Sequence, residues 1–139
     1  MPTSPLARVL AAMENANRRE ARPAPRLVAV GKTREAGEIA ALASEWTDLR
    51  PGTALAFGEN YVQEAAAKVA ALEGSGIEWH LIGHLQSNKA GLAASLFDWV
   101  QSVDRPKLVA ALADARDPAR PPLNVLIQVN VEAEAGKHG

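Results

Sequence analysis

Short apolar runs alternate with alanine-rich helical stretches along most of the chain. The runs are Leu27–Val30, Ala54–Phe57, Ile77–Ile82, Phe97–Val103 and Leu123–Val129. Strands that alternate with helices of about 10–15 residues are typical of βαβ units and a parallel sheet. Such strands are apolar along their whole length because both of their faces are covered. The sequence therefore predicts an α/β fold built on a parallel sheet.

A helix is predicted before the first apolar run. Ser4 is in position to cap it, and Pro5 occupies its first turn. The polar run Asn15–Arg22 and two following prolines end it. Further helices are predicted at Arg34–Leu49, Asn60–Glu73, Ser87–Leu96 and Asp104–Ala115. Asp104 is expected to cap the last of these, and Glu64 and Lys68 are expected to pair at i, i+4.

Composition excludes several kinds of protein. The chain has 139 residues, no cysteine and a formal net charge of -1, which excludes disulfides, Cys-ligated metals and a Cys nucleophile. Lysine and arginine are dispersed, so no basic surface is expected for nucleic acid. No run reaches the ~18 apolar residues of a membrane span, and residues 1–22 lack the apolar segment of a secretory signal. We expect a cytoplasmic protein with neither nucleic acid nor membrane as a partner.

Polar residues follow each apolar run. Lys32, Asn60, His84, Ser102 and Asn130 stand at or just after the carboxyl ends of the five runs. In barrels and in open α/β sheets, these ends converge on the active site, so one cleft is predicted to gather the five side chains. The alternative is that loop-entry residues are polar in any case, and this alternative stays open above all for Ser102.

Lys32 offers the most specific chemistry of these residues. A lysine that directly follows a buried strand starts in a desolvated position, which lowers the pKa of its amine and favours a Schiff-base nucleophile. Gly31-Lys32-Thr33 also matches the end of a P-loop, but that motif needs a glycine where Arg26 stands.

His80 and His84 have the spacing of a metal pair on a helix. Here His80 lies in a strand, where four residues span about 13 Å. We therefore expect a packing or hydrogen-bonding role for His80, and no metal site.

Five segments together resemble a known family. They are Leu27–Thr33 (LVAVGKT), Phe57–Glu64 (FGENYVQE), Trp79–Lys89 (WHLIGHLQSNK), Gln128–Asn130 (QVN) and Gly136–Gly139 (GKHG). The chain resembles the pyridoxal phosphate homeostasis proteins, which are related to the N-terminal barrel of alanine racemase. The resemblance covers residues 6–139.

The resemblance implies a (β/α)8 TIM-type barrel with a leading helix. It implies that Lys32 forms an internal aldimine with pyridoxal 5'-phosphate, and that Asn60, His84 and Asn130 border the same cofactor. Family members are described as regulators of vitamin B6 and amino-acid balance without catalysis of their own. A monomer is expected for the full-length family.

Two departures from the family pattern stand out. Gly31 occupies a position where serine is more common in the family. A complete barrel needs about 250 residues, so we expect residues 1–139 to be the N-terminal portion of a single barrel domain, with a leading helix and about five βα units and without the later phosphate-binding loops. Three alternatives stay open: an alanine-racemase-type pyridoxal phosphate enzyme, a Schiff-base aldolase, and a non-functional fragment.

Overall fold

A five-stranded parallel sheet organises the protein, which is described by a computed structural model. The structure describes residues 4–139. The strands are β1 (Val28–Val30), β2 (Ala56–Glu59), β3 (Glu78–Leu81), β4 (Trp99–Val103) and β5 (Asn124–Ile127). The helices are α1 (Pro5–Glu20), α2 (Ala36–Leu49), α3 (Val62–Ala71), α4 (Ala90–Leu96), preceded by the 3₁₀ turn Ser87–Lys89, and α5 (Pro106–Ala115).

The strand order identifies the barrel type. The strands lie in the order in which the chain makes them, and every neighbouring pair is parallel. Parallel crossovers are right-handed, so a strictly sequential order puts each connecting helix on the same side of the sheet. An open doubly wound sheet would instead reverse its order at a switch point. The predicted α/β fold of the TIM-barrel type, with a parallel sheet, is confirmed.

Helix α1 begins as the sequence predicts. The Ser4 hydroxyl accepts a hydrogen bond from the Ala7 amide at 3.0 Å, and Pro5 follows at the first helical position. Leu6 and Leu10 are buried, whereas Val9 is 45% exposed. The helix also continues through most of the polar run and ends only at Glu20.

The hydrophobic core lies between the sheet and its helices. Its largest side chains come from both layers and are almost fully buried: Ile39, Leu81, Leu85, Phe97 and Leu108. Phe57 and Trp79, on neighbouring strands, pack edge to face with ring centroids 5.8 Å apart. Within residues 4–139, no helix is both long enough and apolar enough to cross a membrane.

Three local predictions were wrong. Strand β2 begins two residues later than the apolar run, so Glu59 is its last residue and is buried. Helix α5 has Arg105, not Asp104, at its N-cap position, because the Asp104 carboxylate accepts a hydrogen bond from the Arg105 guanidinium instead. Lys68 pairs with Glu59 and not with Glu64, since it lies on the edge of α3 that faces the sheet.

The opposite face of the sheet carries a polar cluster. His80 is buried and contacts the Glu78 carboxylate at 2.7 Å and the Gln101 amide at 2.9 Å. Its ring stacks on Trp99 with centroids 5.4 Å apart. Arg26 donates a further hydrogen bond to Glu78 at 2.7 Å. His80 therefore has the hydrogen-bonding role that the sequence predicts, at a distance from His84.

This cluster predicts acid sensitivity. Burial raises the pKa of Glu78, but hydrogen bonds from Arg26 and His80 outweigh burial and leave that pKa below its usual value of 4.5. Because the folded pKa is depressed, the stabilisation is present above the unfolded value and is lost as pH falls through the folded one. We expect the melting temperature to decrease as the pH is lowered below about 4.5. The decrease should be less steep in Glu78→Gln. An equally steep decrease of the melting temperature with pH in both proteins would contradict this prediction.

Candidate functional site

A cavity opens at the carboxyl ends of β1, β2 and β3. Its volume is about 600 Å³, within the range of small-molecule sites. Lys32, Asn60 and His84 line it, so three of the predicted site residues meet there. The other lining residues are Tyr61, Val62, Gln63, Gly83, Gln86 and Lys89.

Lys32 lies in a tight turn directly after β1. The Gly31 amide continues the strand ladder by donating to the Gly58 carbonyl at 3.1 Å, and the Arg34 amide closes the turn onto the Gly31 carbonyl at 3.0 Å. Thr33 has φ +65°, a left-handed conformation that is strained for a β-branched residue. The turn is therefore a defined structure, and Lys32 within it lines the cavity.

Lys32 is more exposed than its place after a strand predicts. The side chain is exposed, and Val30, the last residue of β1, is 48% exposed. The physical reason is that β1 pairs only with β2 among the described residues, so one flank of this strand is not covered. The predicted desolvation of the lysine is thus absent from this arrangement.

Gly31 is required by close packing. A Cβ atom at this position would overlap the Phe57 ring and lie 3.2 Å from Glu59 Oε2. A serine here would therefore force the Phe57 ring to move. The Phe57 ring thus fills the space that a side chain at position 31 would occupy.

Asn60 and Gly83 are in contact across neighbouring strand ends. The N-cap position of α3 belongs to Tyr61, and the Asn60 side chain makes no hydrogen bond with residues 4–139. A Cβ atom on residue 83 would overlap the Asn60 carbonyl oxygen. Glycine thus lets the loop after β3 approach the end of β2, while the Asn60 amide remains free to bind a ligand.

Ser102 and Asn130 lie outside the lining of this cavity. Ser102 is buried within β4, and its hydroxyl donates to the Gly83 carbonyl at 2.6 Å. It therefore supports the loop that carries His84. Asn130 caps a local turn after β5, since its side chain donates to the Glu134 carbonyl and accepts from the Glu134 amide.

His84 packs against the C-terminal segment of the chain. Its ring stacks on His138 with centroids 3.6 Å apart and 13° between the planes. Its Nδ1 lies 3.9 Å from the Asp104 carboxylate. Burial and the charge of His138 lower the pKa of His84, and the Asp104 carboxylate opposes them only in part. His84 is therefore neutral at pH 7.

His84, Asp104 and His138 also bring potential metal ligands together. One ligand atom from each lies within 4.8 Å of the other two. The two imidazole rings are nearly parallel, however, and an imidazole lone pair lies in the plane of its ring. Their lone pairs consequently do not converge on a single ion in this arrangement.

Sequence reasoning missed the buried pair of Glu59 and Lys68. Lys68 Nζ lies 2.5 Å from Glu59 Oε1 and donates to the Gly31 carbonyl at 2.8 Å. In the folded chain Lys68 stands three residues after the fully buried Ala65 and one before the partly buried Val69. That spacing places Lys68 on the packed side of α3.

A second cavity of about 500 Å³ lies at the opposite end of the strands, between α1, α2 and the residues before β1. It is mainly apolar, and its two arginines, Arg26 and Arg50, already pair with Glu78 and Glu14. The cavity beside Lys32 combines an amine, an amide and an imidazole at the carboxyl ends of the strands. It is therefore the candidate site.

Fold and site together define an α/β protein of the parallel barrel type with a lysine at the mouth of its cavity. A pyridoxal phosphate homeostasis protein from Haemophilus influenzae is 46% identical over 116 residues, which cover 82% of this chain and 46% of that protein. No family model matches the chain.

Solved structures of PipY from Synechococcus elongatus are also similar. The form with pyridoxal phosphate (PLP) bound is 38% identical with a TM-score of 0.58, over 76% of this chain and 47% of that one. The form without PLP is 35% identical with a TM-score of 0.69, over 93% and 57%.

The family resemblance is confirmed by these relatives: the chain belongs to the pyridoxal phosphate homeostasis proteins. It spans about half the length of the curated relatives it matches.

The histidine stack predicts a measurable titration. Because the folded state disfavours a proton on His84, its imidazole should titrate below the ordinary value of about 6.5, and its stabilising contact should be lost as pH falls through the folded pKa. In His138→Gln the neighbouring charge is absent, so the pKa of His84 should rise. Nuclear magnetic resonance titration of the imidazole protons measures both. An unchanged His84 titration in the variant would show that His138 does not lower this pKa.

Proposed function

We propose that this chain binds pyridoxal 5'-phosphate at the Lys32 cavity and serves the intracellular homeostasis of that cofactor. The observation that carries the proposal is that Lys32, Asn60 and His84 meet around one cavity at the carboxyl ends of three parallel strands. The PLP-bound structure of PipY, at 38% identity, supports the same ligand. In this proposal, residues 1–139 form the N-terminal portion of a single barrel domain.

Residues of the cavity fit the aldehyde and the ring oxygen of the cofactor. When bound, the cofactor supplies an aldehyde that condenses with a lysine amine, with loss of water, to a Schiff base. Lys32 provides the amine, and its exposure leaves the Nζ atom accessible from the cavity. Only the unprotonated form of this amine can add to a carbonyl carbon.

Asn60 and His84 orient the ligand in this proposal. The unpartnered Asn60 amide can donate a hydrogen bond to a ring oxygen. His84 is neutral at pH 7, because burial and His138 lower its pKa, so one ring nitrogen donates and the other accepts. Asn130 takes part indirectly, by shaping the turn after β5.

The proposed role of the protein is regulatory and not catalytic, and its proposed location is the cytoplasm.

Racemisation needs acid–base groups on opposite faces of the ligand. Among residues 4–139, the cavity lining contributes Lys32, Lys89, His84 and Tyr61 as titratable groups. An assay of alanine racemisation tests the alternative of an alanine-racemase-type enzyme: activity in the wild type would contradict the regulatory proposal, and loss of that activity in Tyr61→Phe would identify Tyr61 as one of its acid–base groups.

Lys32→Ala should abolish covalent attachment of the cofactor. The matched control is Lys107→Ala, because Lys107 is exposed on α5 and contributes nothing to the cavity lining. Incubation with pyridoxal 5'-phosphate, reduction with borohydride and peptide mass spectrometry should map the adduct to Lys32 in the wild type and in the control. An adduct on another lysine with Lys32 unmodified would overturn the assignment.

Asn60→Ala should weaken cofactor binding by roughly fivefold, since one lost hydrogen bond is worth about 1 kcal/mol. Its melting temperature should stay close to that of the wild type, because Asn60 does not cap α3. Absorbance titration and thermal melting separate the two effects. A lower melting temperature with unchanged affinity would assign Asn60 a structural role only.

A further inference from the structure

The buried pair of Glu59 and Lys68 has no part in the contacts described for the ligand. Glu59 is 1% exposed, and Lys68 is its only charged partner among the described residues. The second carboxylate oxygen, Oε2, is buried without a hydrogen-bond partner within residues 4–139. A buried carboxylate strongly favours a cation beside it, so the charge of Glu59 holds the Lys68 ammonium in place.

Lys68 is thereby held against the turn that carries Lys32. Its ammonium donates to the Gly31 carbonyl at 2.8 Å. The same oxygen accepts the Arg34 amide at 3.0 Å, and the Gly31 amide donates to Gly58. Both backbone groups of Gly31 are therefore paired, and its carbonyl receives two donors.

The turn contains backbone strain, which the contacts of Gly31 must offset. Thr33 follows Lys32 with φ +65°, and a β-branched residue in this region is disfavoured. Strained backbone persists where the surroundings over-determine it, and it clusters at functional sites. The two donors on the Gly31 carbonyl and the Phe57 ring that fills the space beside Gly31 are these surroundings.

We propose that Glu59 and Lys68 are positioning residues that hold the Gly31–Arg34 turn, so that the Lys32 amine is presented to the cavity. This inference rests on the proposed attachment of the ligand to Lys32. Lys68 acts through the backbone carbonyl of Gly31, and Glu59 acts through Lys68. Their effect is to limit the range of positions that the Lys32 side chain occupies, which governs how often its amine meets a carbonyl carbon in reacting geometry.

The test compares variants that separate charge, contact and fold. Lys68→Met removes the donor but leaves the Glu59 charge buried and unpaired, so the double variant Glu59→Gln/Lys68→Met removes both charges together. Lys68→Arg keeps a cation that can reach both partners. Lys107→Met is the matched control, since it removes a lysine from an exposed position on α5.

Two measurements are made on each protein well below its melting temperature. The first is hydrogen exchange of the Arg34 amide without cofactor, which reports the turn itself. The second is the rate at which borohydride traps the Schiff base at Lys32 with pyridoxal 5'-phosphate. We expect the double variant to exchange the Arg34 amide about tenfold faster and to react at Lys32 about tenfold more slowly, with Lys68→Arg near the wild type.

The outcomes are distinguishable. Wild-type rates in a folded double variant, or an equal change in Lys107→Met, would overturn the inference. Should the double variant not fold, Glu59→Gln alone removes the charge that holds Lys68, and unchanged Arg34 exchange in it would also overturn the inference. If the wild type forms no Schiff base at Lys32, the proposed function fails, whereas the Arg34 measurement still decides whether Lys68 holds the turn.

Discussion

Parallel pairing between consecutive strands is the constraint on which the rest of this structure depends. A parallel pair needs a crossover on one side of the sheet, and the right-handed preference gives each crossover the same hand. The strands therefore end at a common edge in chain order. Residues as far apart in sequence as Lys32 and His84 reach one cavity for this reason.

At this edge of the sheet, the loops that form the site lie very close to neighbouring strands. Gly31 and Gly83 stand where a side chain would overlap Phe57 and the backbone of Asn60. Each glycine lets a loop lie within contact distance of a neighbouring strand or its end, which brings backbone donors and acceptors into pairing range. This tight geometry is accompanied by backbone strain, since Thr33 adopts a left-handed conformation beside Lys32.

The site is uneven in how far the sequence could predict it. Lys32, Asn60 and His84 were found because they follow apolar runs, and their strands do end at one edge. Ser102 satisfied the same pattern, but β4 continues past it and points its hydroxyl at the Gly83 carbonyl. The pattern of polar residues after apolar runs locates the ends of strands only to within one or two residues. Because successive side chains of a strand face opposite sides of the sheet, the pattern does not determine which way a given side chain faces.

Charge pairing was the other point at which local reasoning failed. Glu64 and Lys68 have ideal helical spacing, yet Lys68 pairs with Glu59 on the neighbouring strand. A buried carboxylate gains more from a cation than an exposed one does, because water no longer screens the interaction. That preference depends on burial, which arises only when α3 packs on the sheet.

The sequence by itself determined the alternation of strands and helices, the parallel sheet and the lysine after its first strand, since apolar periodicity and chain order are local properties. Only the tertiary structure decided that His84 stacks on His138, that Asn130 caps a turn outside the cavity, and that Lys68 braces the carbonyl beside Lys32. These contacts join residues from different elements. Their energies depend on burial, distance and orientation, which exist only once the elements have packed together.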